Sequence, residues 1–412
     1  MLWKSLALIV VSAFMMAAGP AARAGEPSFS SFDKRAKAGE RLSVVFFGAS
    51  LTWGANATDP VCTSYRAQMG DWLDEQYPKA HFKYWDAAIG GTNSQLGVFR
   101  FERDVLARKP DLVFIDFCAN DDVYSDDPET RASYESLVRR IILDAKAPVV
   151  AMLFPFQWNV ERGSTAGMKG RETHIEIAKA YNAPVGDAIS LGIERVKNKE
   201  MTIKEIWPAD AVHPGDVGYG MFTDAAKAAF LEGVKRKLVC RAPEKMLYAP
   251  TYMTNSRVRV SSLEPLPKGW TVGTPNLSAA WYDGLMSRWL DDETIASREA
   301  EPAPLKVKVN ASMILLYGEE TTKSGGYEVA IDGKLLTGKA TAADPEPVRK
   351  FTASGKRFGG NRQHAQIIAT GLDTAVDHVV EIIPVFEGDD EQELRIESIC
   401  VAGGKATVDR VK

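Results

Sequence analysis

Leu42-Ser43-Val44-Val45-Phe46-Phe47-Gly48-Ala49-Ser50-Leu51-Thr52-Trp53-Gly54 carries the reading of the fold. Its first half, Leu42–Phe47, is a short apolar run with little polar alternation. That is the pattern of a parallel strand buried on both faces. Two runs of the same kind lie at Leu112–Phe117 and Val149–Phe154. Amphipathic helical stretches separate them. Leu96–Arg108 places Val98, Phe101, Val105 and Leu106 on one stripe, and Arg131–Ala145 does so with Tyr134, Leu137, Val138, Ile141 and Ile142. Val217–Leu238 is a long Ala-rich helix with Lys and Arg in its last turns, which suits the helix dipole. This βαβα order over residues 41–240 predicts a three-layer α/β domain with a parallel sheet.

The pattern changes downstream. Residues 241–268 contain Pro243, Pro250, Pro265 and Pro267 and read as a linker or wrapping segment. Beyond it, residues 269–412 predict a β-sandwich. Tyr327–Ile331 alternates and meets Asp332-Gly333, a two-residue hairpin signal. Leu305–Val309, Met313–Tyr317, Gln366–Thr370, His378–Pro384 and Leu394–Val401 are further strand candidates.

Upstream, Lys4, the apolar run Leu6–Ala18 and the small-x-small Ala22-Arg23-Ala24 predict a signal peptide over residues 1–24. The run is shorter than the ~20 residues a spanning helix needs, so a periplasmic or secreted protein without a membrane anchor is expected. Removing 1–24 takes away Lys4 and Arg23 and no acid. That leaves 48 basic and 54 acidic residues, net −6 against −4 for the full chain. A nucleic-acid-binding surface is not indicated.

Four cysteines, Cys62, Cys118, Cys240 and Cys400, allow three pairings in an exported protein. Cys118 ends an apolar run and reads as buried and free. Cys240 and Cys400 each close an element near a domain end, and a bridge between them is one option. Metal-type C-x-x-C spacing is absent, so zinc is not suggested. The acidic pairs Asp121-Asp122 and Asp126-Asp127 lack the glycine and ligand spacing of a calcium loop and read as a solvated loop.

Four blocks carry the chemistry: Gly48-Ala49-Ser50-Leu51, Ile89-Gly90-Gly91-Thr92-Asn93, Ala119-Asn120-Asp121 and Asp210-Ala211-Val212-His213. Open α/β sheets place their sites at the carboxyl ends of strands, where the first and third blocks fall. Together they supply an acyl-transfer site. Ser50 is the candidate nucleophile, His213 the general base and acid, and Asp210 the residue that orients the imidazole. The N–H groups of Ser50 and Gly91 and the Asn120 amide are candidate oxyanion donors. Gly91 leaves room for substrate at the backbone. Asn120 donates without adding charge. Of five histidines only His213 has an Asp three residues before it.

These blocks resemble the four signature blocks of the SGNH hydrolases, the GDSL esterase/lipase family. Ser50, Gly91, Asn120 and His213 fall on the namesake positions, and Asp210 on the Asp three residues before the His. The resemblance covers about residues 41–240. One departure is Gly-Ala-Ser-Leu where the family has Gly-Asp-Ser-Leu. Gly-x-Ser-x-Gly is absent around Ser50, which argues against an α/β-hydrolase elbow. The resemblance implies a serine esterase working through an acyl-enzyme with no metal or organic cofactor. An exported catalytic domain joined to a β-sandwich resembles carbohydrate acetylesterases, which implies an acetylated polysaccharide or oligosaccharide as substrate. Rival readings are a lysophospholipase or thioesterase, a glycan O-acyltransferase and a non-catalytic glycan-binding protein. Trp53, Gln157 and Trp158 follow strand ends and are candidate substrate-binding residues. His174 reads as a surface residue, and Arg100 and Arg103 as helix-surface or salt-bridging residues.

Overall fold

Three apolar strands lie side by side at the centre of a five-stranded parallel sheet. The computed structural model describes residues 26–276, 290–338, 347–353, 361–388 and 390–411. The signal-peptide reading of residues 1–24 lies outside the described residues. The strands are β1 (Arg41–Gly48), β2 (His81–Ala88), β3 (Leu112–Asp116), β4 (Val149–Leu153) and β5 (Val185–Asp187), in the order β2-β1-β3-β4-β5. β3 and β4 are buried at every residue, as their unbroken apolar runs require.

Ten helices flank this sheet: α1 (Phe29–Lys37), α2 (Ser50–Trp53), α3 (Tyr65–Gln76), α4 (Ser94–Asp104), α5 (Pro128–Leu143), α6 (Gln157–Glu161), α7 (Lys169–Ala180), α8 (Ala188–Lys197), α9 (Ile203–Ile206) and α10 (Asp216–Lys235). α10 packs on α1, α3 and α8, and α5 packs on α4 and α7, giving the three layers. α1 precedes the first predicted strand. It buries Phe29 and Phe32, whose rings meet Phe230 of α10 edge to face.

The rest of the described residues fold mainly as two antiparallel sheets. Their strands are β6 (Asn255–Arg259), β7 (Trp270–Gly273), β8 (Glu293–Ser297), β9 (Leu305–Asn310), β10 (Met313–Thr321), β11 (Gly326–Ile331), β12 (Lys334–Leu335), β13 (Phe351–Thr352), β14 (Asn361–Ala369), β15 (His378–Val385), β16 (Glu393–Ala402) and β17 (Thr407–Arg410). One sheet runs β14-β10-β16-β8-β7 with β6 also paired to β16. The other runs β12-β11-β15-β9-β17 with β13 on β11. The Asp332-Gly333 turn has positive φ at both residues and joins β11 to β12. β6 falls within the Pro-rich stretch, so strand pairing of the sandwich begins earlier than position 269. Residues before it lie against the first domain, where Leu247 and Tyr248 donate backbone N–H bonds to Glu135 of α5.

The two units share apolar packing. On β10, Ile314 and Leu316 face the second sheet, while Met313, Leu315 and Tyr317 join the core of the α/β domain. On β16, Ile399 and Val401 face the second sheet and Cys400 and Ala402 the α/β domain. The inner strands β10 and β16 are therefore buried on both faces, and α4, which lies beneath them, is buried nearly all round. All four cysteines are free. Cys240 lies against the Val149 and Asn182 carbonyls and Cys400 sits in β16, so the Cys240–Cys400 bridge does not form.

Candidate active site

The ends of adjacent strands gather the candidate residues. In the registers, Gly48 pairs with Ala88, and Phe47 with Ile115. The segments after β1, β2 and β3 therefore leave the sheet side by side. They carry Ser50, Gly91 and Asn120 respectively. His213 comes from the loop before α10 and reaches across to Ser50.

Ser50 opens the short helix α2, is 4% exposed, and its Oγ lies 3.0 Å from His213 Nε2. His213 Nδ1 lies 3.2 Å from Asp210 Oδ2. The Asp210 carboxylate also organises its own loop, because Oδ1 accepts the N–H groups of Val212 and His213, each at 2.7 Å. Asn56 adds a long-range hold, donating to Asp210 Oδ2 at 2.7 Å and to the His213 carbonyl at 3.3 Å. Burial pushes the Asp210 carboxyl up, but the His213 and Val212 N–H groups, the Asn56 amide and the imidazole together hold it below its ordinary value. An ionised carboxylate against Nδ1 leaves Nε2 free to take a proton from a hydroxyl at hydrogen-bond distance.

Gly91 and Asn120 border one cleft, whose opposite wall is Leu315, Ala365, Gln366 and Ile367 of the sandwich. Gly91 has φ +69, a left-handed conformation that glycine adopts without strain. The turn is tied down by Thr92 Oγ1, which donates to the Ile89 carbonyl at 2.7 Å, and by Asn93, whose side chain caps α4. Asp121 accepts the Ser94 N–H at 2.8 Å and is buried, so it belongs to the site's frame and not to a solvated loop.

Several residues under the site were assigned otherwise from sequence. Arg100 is buried, so the helix-surface reading fails while the salt-bridging one holds. It donates to the carbonyls of Gly48 and Ala87, both at 2.7 Å, and pairs with Asp104. One guanidinium thus ties the ends of β1 and β2 together immediately before the Ser50 and Gly91 segments. His174 is buried too, stacked on Tyr134 with ring centroids 3.6 Å apart and Nε2 3.3 Å from Asp121 Oδ2. Trp53 is half-buried beside Ser50 in α2. Gln157 donates its backbone N–H to Ala211 O and its side chain to Glu161. Trp158 is 44% exposed and tilted against Phe156. Gln157 and Trp158 thus lie beside the His213 loop.

Thr52 and Asp116 were missed. A Cβ on Gly48 would stand 2.2 Å from Thr52 Oγ1, so only glycine lets α2 turn this tightly off β1. Thr52 Oγ1 donates to Asp116 Oδ2 at 3.0 Å, while Oδ1 of this buried carboxyl has no partner among the described residues. Burial raises the Asp116 pKa to about 8, Thr52 pulls it down and the Asp121 charge pushes it up. A raised folded pKa means the folded state holds the proton more tightly, so this term is fully present below about pH 4 and is lost as pH rises through about 8. We expect Asp116→Asn to flatten this decline. In melting curves, Tm of the variant relative to wild type should rise between pH 5 and pH 8, and a constant difference would contradict it.

Comparisons with known proteins bear on the fold and the class of enzyme. Residues 46–221 match the model of the GDSL-like lipase/acylhydrolase family. An acetylxylan esterase from Geobacillus stearothermophilus is 24% identical over 207 residues, 44% of this chain and 91% of that protein. The solved structure of a two-domain esterase active on acetylated mannans, co-crystallised with mannopentaose, superimposes with TM-score 0.69 at 25% identity. The match covers 92% of this chain and 95% of that one, and so includes both units. Residues 46–221 of the α/β domain thus resemble the GDSL-like lipase/acylhydrolases, and the protein is a carboxylic ester hydrolase.

Proposed function

We propose that the protein is an exported carbohydrate esterase that removes acetyl groups from a polysaccharide or its oligosaccharides. The observation that carries the proposal is the contact chain from Ser50 Oγ to His213 Nε2 and from Nδ1 to Asp210, with Ser50, Gly91 and Asn120 on segments that leave adjacent strands. Ser50 Oγ attacks the acetyl carbonyl as His213 takes its proton. The negative oxygen of the tetrahedral intermediate is met by the N–H groups of Ser50 and Gly91 and by the Asn120 amide. Collapse releases the sugar hydroxyl, which receives the proton from His213. Water, deprotonated by His213, then cleaves the acetyl-enzyme, and acetate leaves. No step requires a metal or an organic cofactor. Asp210 stays ionised and steadies the imidazolium.

Activity of the relatives on acetylated xylan and acetylated mannan supports a glycan substrate. Among the described residues no helix is long and apolar enough to cross a membrane. The N-terminal pattern of residues 1–24 supports export. On this reading residues 41–240 are the catalytic unit, residues 241–254 wrap it, and the sandwich follows. Trp53, Gln157 and Trp158 flank the approach to the His213 loop and are assigned to substrate contact.

The test is acetate release from a panel of acetylated xylans and mannans, run beside an acyl-chain series on a soluble ester. Acetyl esters should exceed octanoyl esters at least tenfold in kcat/KM, since a methyl group needs no acyl groove. A rate that climbs with chain length would favour a lipid esterase. Transfer of the acetyl group to an added sugar in preference to water would favour an acyltransferase.

A further inference from the structure

The sandwich sends one polar side chain into the turn that holds Gly91. Gln363 of β14 is buried, and its Nε2 donates to the Gly90 carbonyl at 2.6 Å. The same nitrogen stands 3.2 Å from where a Cβ on Gly91 would be. Gly90 C=O and Gly91 N–H belong to one planar peptide and point in opposite directions across it. Fixing the carbonyl therefore fixes the N–H. This peptide lies between two glycines, where rotation meets the least steric resistance. The Gln363 Oε1 has no partner among the described residues, so the amide's one recorded bond is its donation to Gly90.

We propose that Gln363 is a positioning residue for catalysis: the β-sandwich holds the Gly90–Gly91 peptide so that the Gly91 N–H faces the reacting oxygen. The inference rests on the reading of Gly91 as an oxyanion donor. It assigns the second unit a part in the chemical step itself, separate from any contact with glycan. Donation to the carbonyl also polarises the peptide and strengthens the N–H on its other side.

The experiment compares wild type, Gln363→Met, Gln363→Glu and Ser50→Ala on a small soluble acetyl ester, which is too short to span the cleft. Rates are normalised to folded enzyme. Gln363→Met keeps the side-chain length and removes the donor. Its kcat should fall about 10- to 100-fold with KM changed less than about threefold. Gln363→Glu is nearly isosteric and can donate only when protonated. Its kcat relative to wild type should rise at least about tenfold as pH falls from 8 to 5.5, because the ratio cancels any pH dependence common to both proteins and burial raises a Glu pKa. A merely structural role would move stability and leave this pH ratio flat.

Folded Gln363→Met with wild-type kcat overturns the proposal, as does a loss confined to KM on polysaccharide. If Gln363→Met does not fold, the pH ratio of Gln363→Glu decides alone, and a flat ratio overturns the proposal. Failure of both variants to fold makes Gln363 a folding residue and also overturns it. Ser50→Ala separates the two levels. Turnover insensitive to Ser50 defeats the esterase assignment, whereas Ser50-dependent turnover insensitive to Gln363 defeats only this inference.

Discussion

Ser50→Ala is expected to lower kcat by about 10⁴–10⁶ while the melting temperature stays within a few degrees of wild type. Ser50 Oγ meets His213 at 3.0 Å, and alanine removes the oxygen proposed to attack, with little change in volume. His213→Ala should cost about as much, and the double variant little more, because a nucleophile without its base and a base without its nucleophile are both idle. Asn120→Ala should lose about 10²–10³, since other oxyanion donors remain. Acetate release, normalised to the concentration of folded protein, measures all four variants. Near-wild-type turnover by Ser50→Ala would remove the nucleophile assignment.

Deleting residues 250–412 is expected to abolish soluble expression and, with it, activity on every ester. The deletion uncovers α4, which is buried nearly all round, and removes Met313, Leu315, Tyr317, Cys400 and Ala402 from the core they share with the α/β domain. It also removes Tyr252, whose hydroxyl accepts from Gln95 at 3.0 Å and donates to Glu129 at 2.8 Å. The exposed apolar face would drive aggregation. Yield in the soluble fraction, size-exclusion profile and small-ester turnover test this. A soluble, monomeric, fully active truncation would show that the sandwich is a detachable module and that the shared core contributes little.

The central strands were legible because β1, β3 and β4 lie inside the sheet and need unbroken apolar runs. The two strands that escaped notice, β2 and β5, are its edges. β2 alternates in exposure along His81–Tyr84 and β5 has three residues, so neither carries the buried-strand signal. The Pro-rich stretch concealed β6 in the same way. The burial of His174 and Arg100 escaped the sequence for a common reason. A charged or titratable side chain on a helix is ordinarily solvated, and only a partner distant in sequence makes its burial tolerable. Arg100 finds the carbonyls of Gly48 and Ala87, and His174 finds Asp121 and Tyr134.

By itself the sequence determined the alternation of strand and helix, the change to β structure beyond Arg241, and the four blocks that bear Ser50, Gly91, Asn120 and His213. These are local properties: apolar periodicity, turn residues, and short segments that leave consecutive strands at the same edge. The tertiary structure alone decided what surrounds them. Met313–Tyr317 reads as a strand, but its second buried face acquires meaning only when α4 is found beneath it. Asn56 approaches Asp210 from 154 positions away, and Gln363 approaches Gly90 from 273. A hydrogen bond across such a separation leaves no periodicity in the chain, because its geometry is set by how packed layers meet and not by the residues on either side of it.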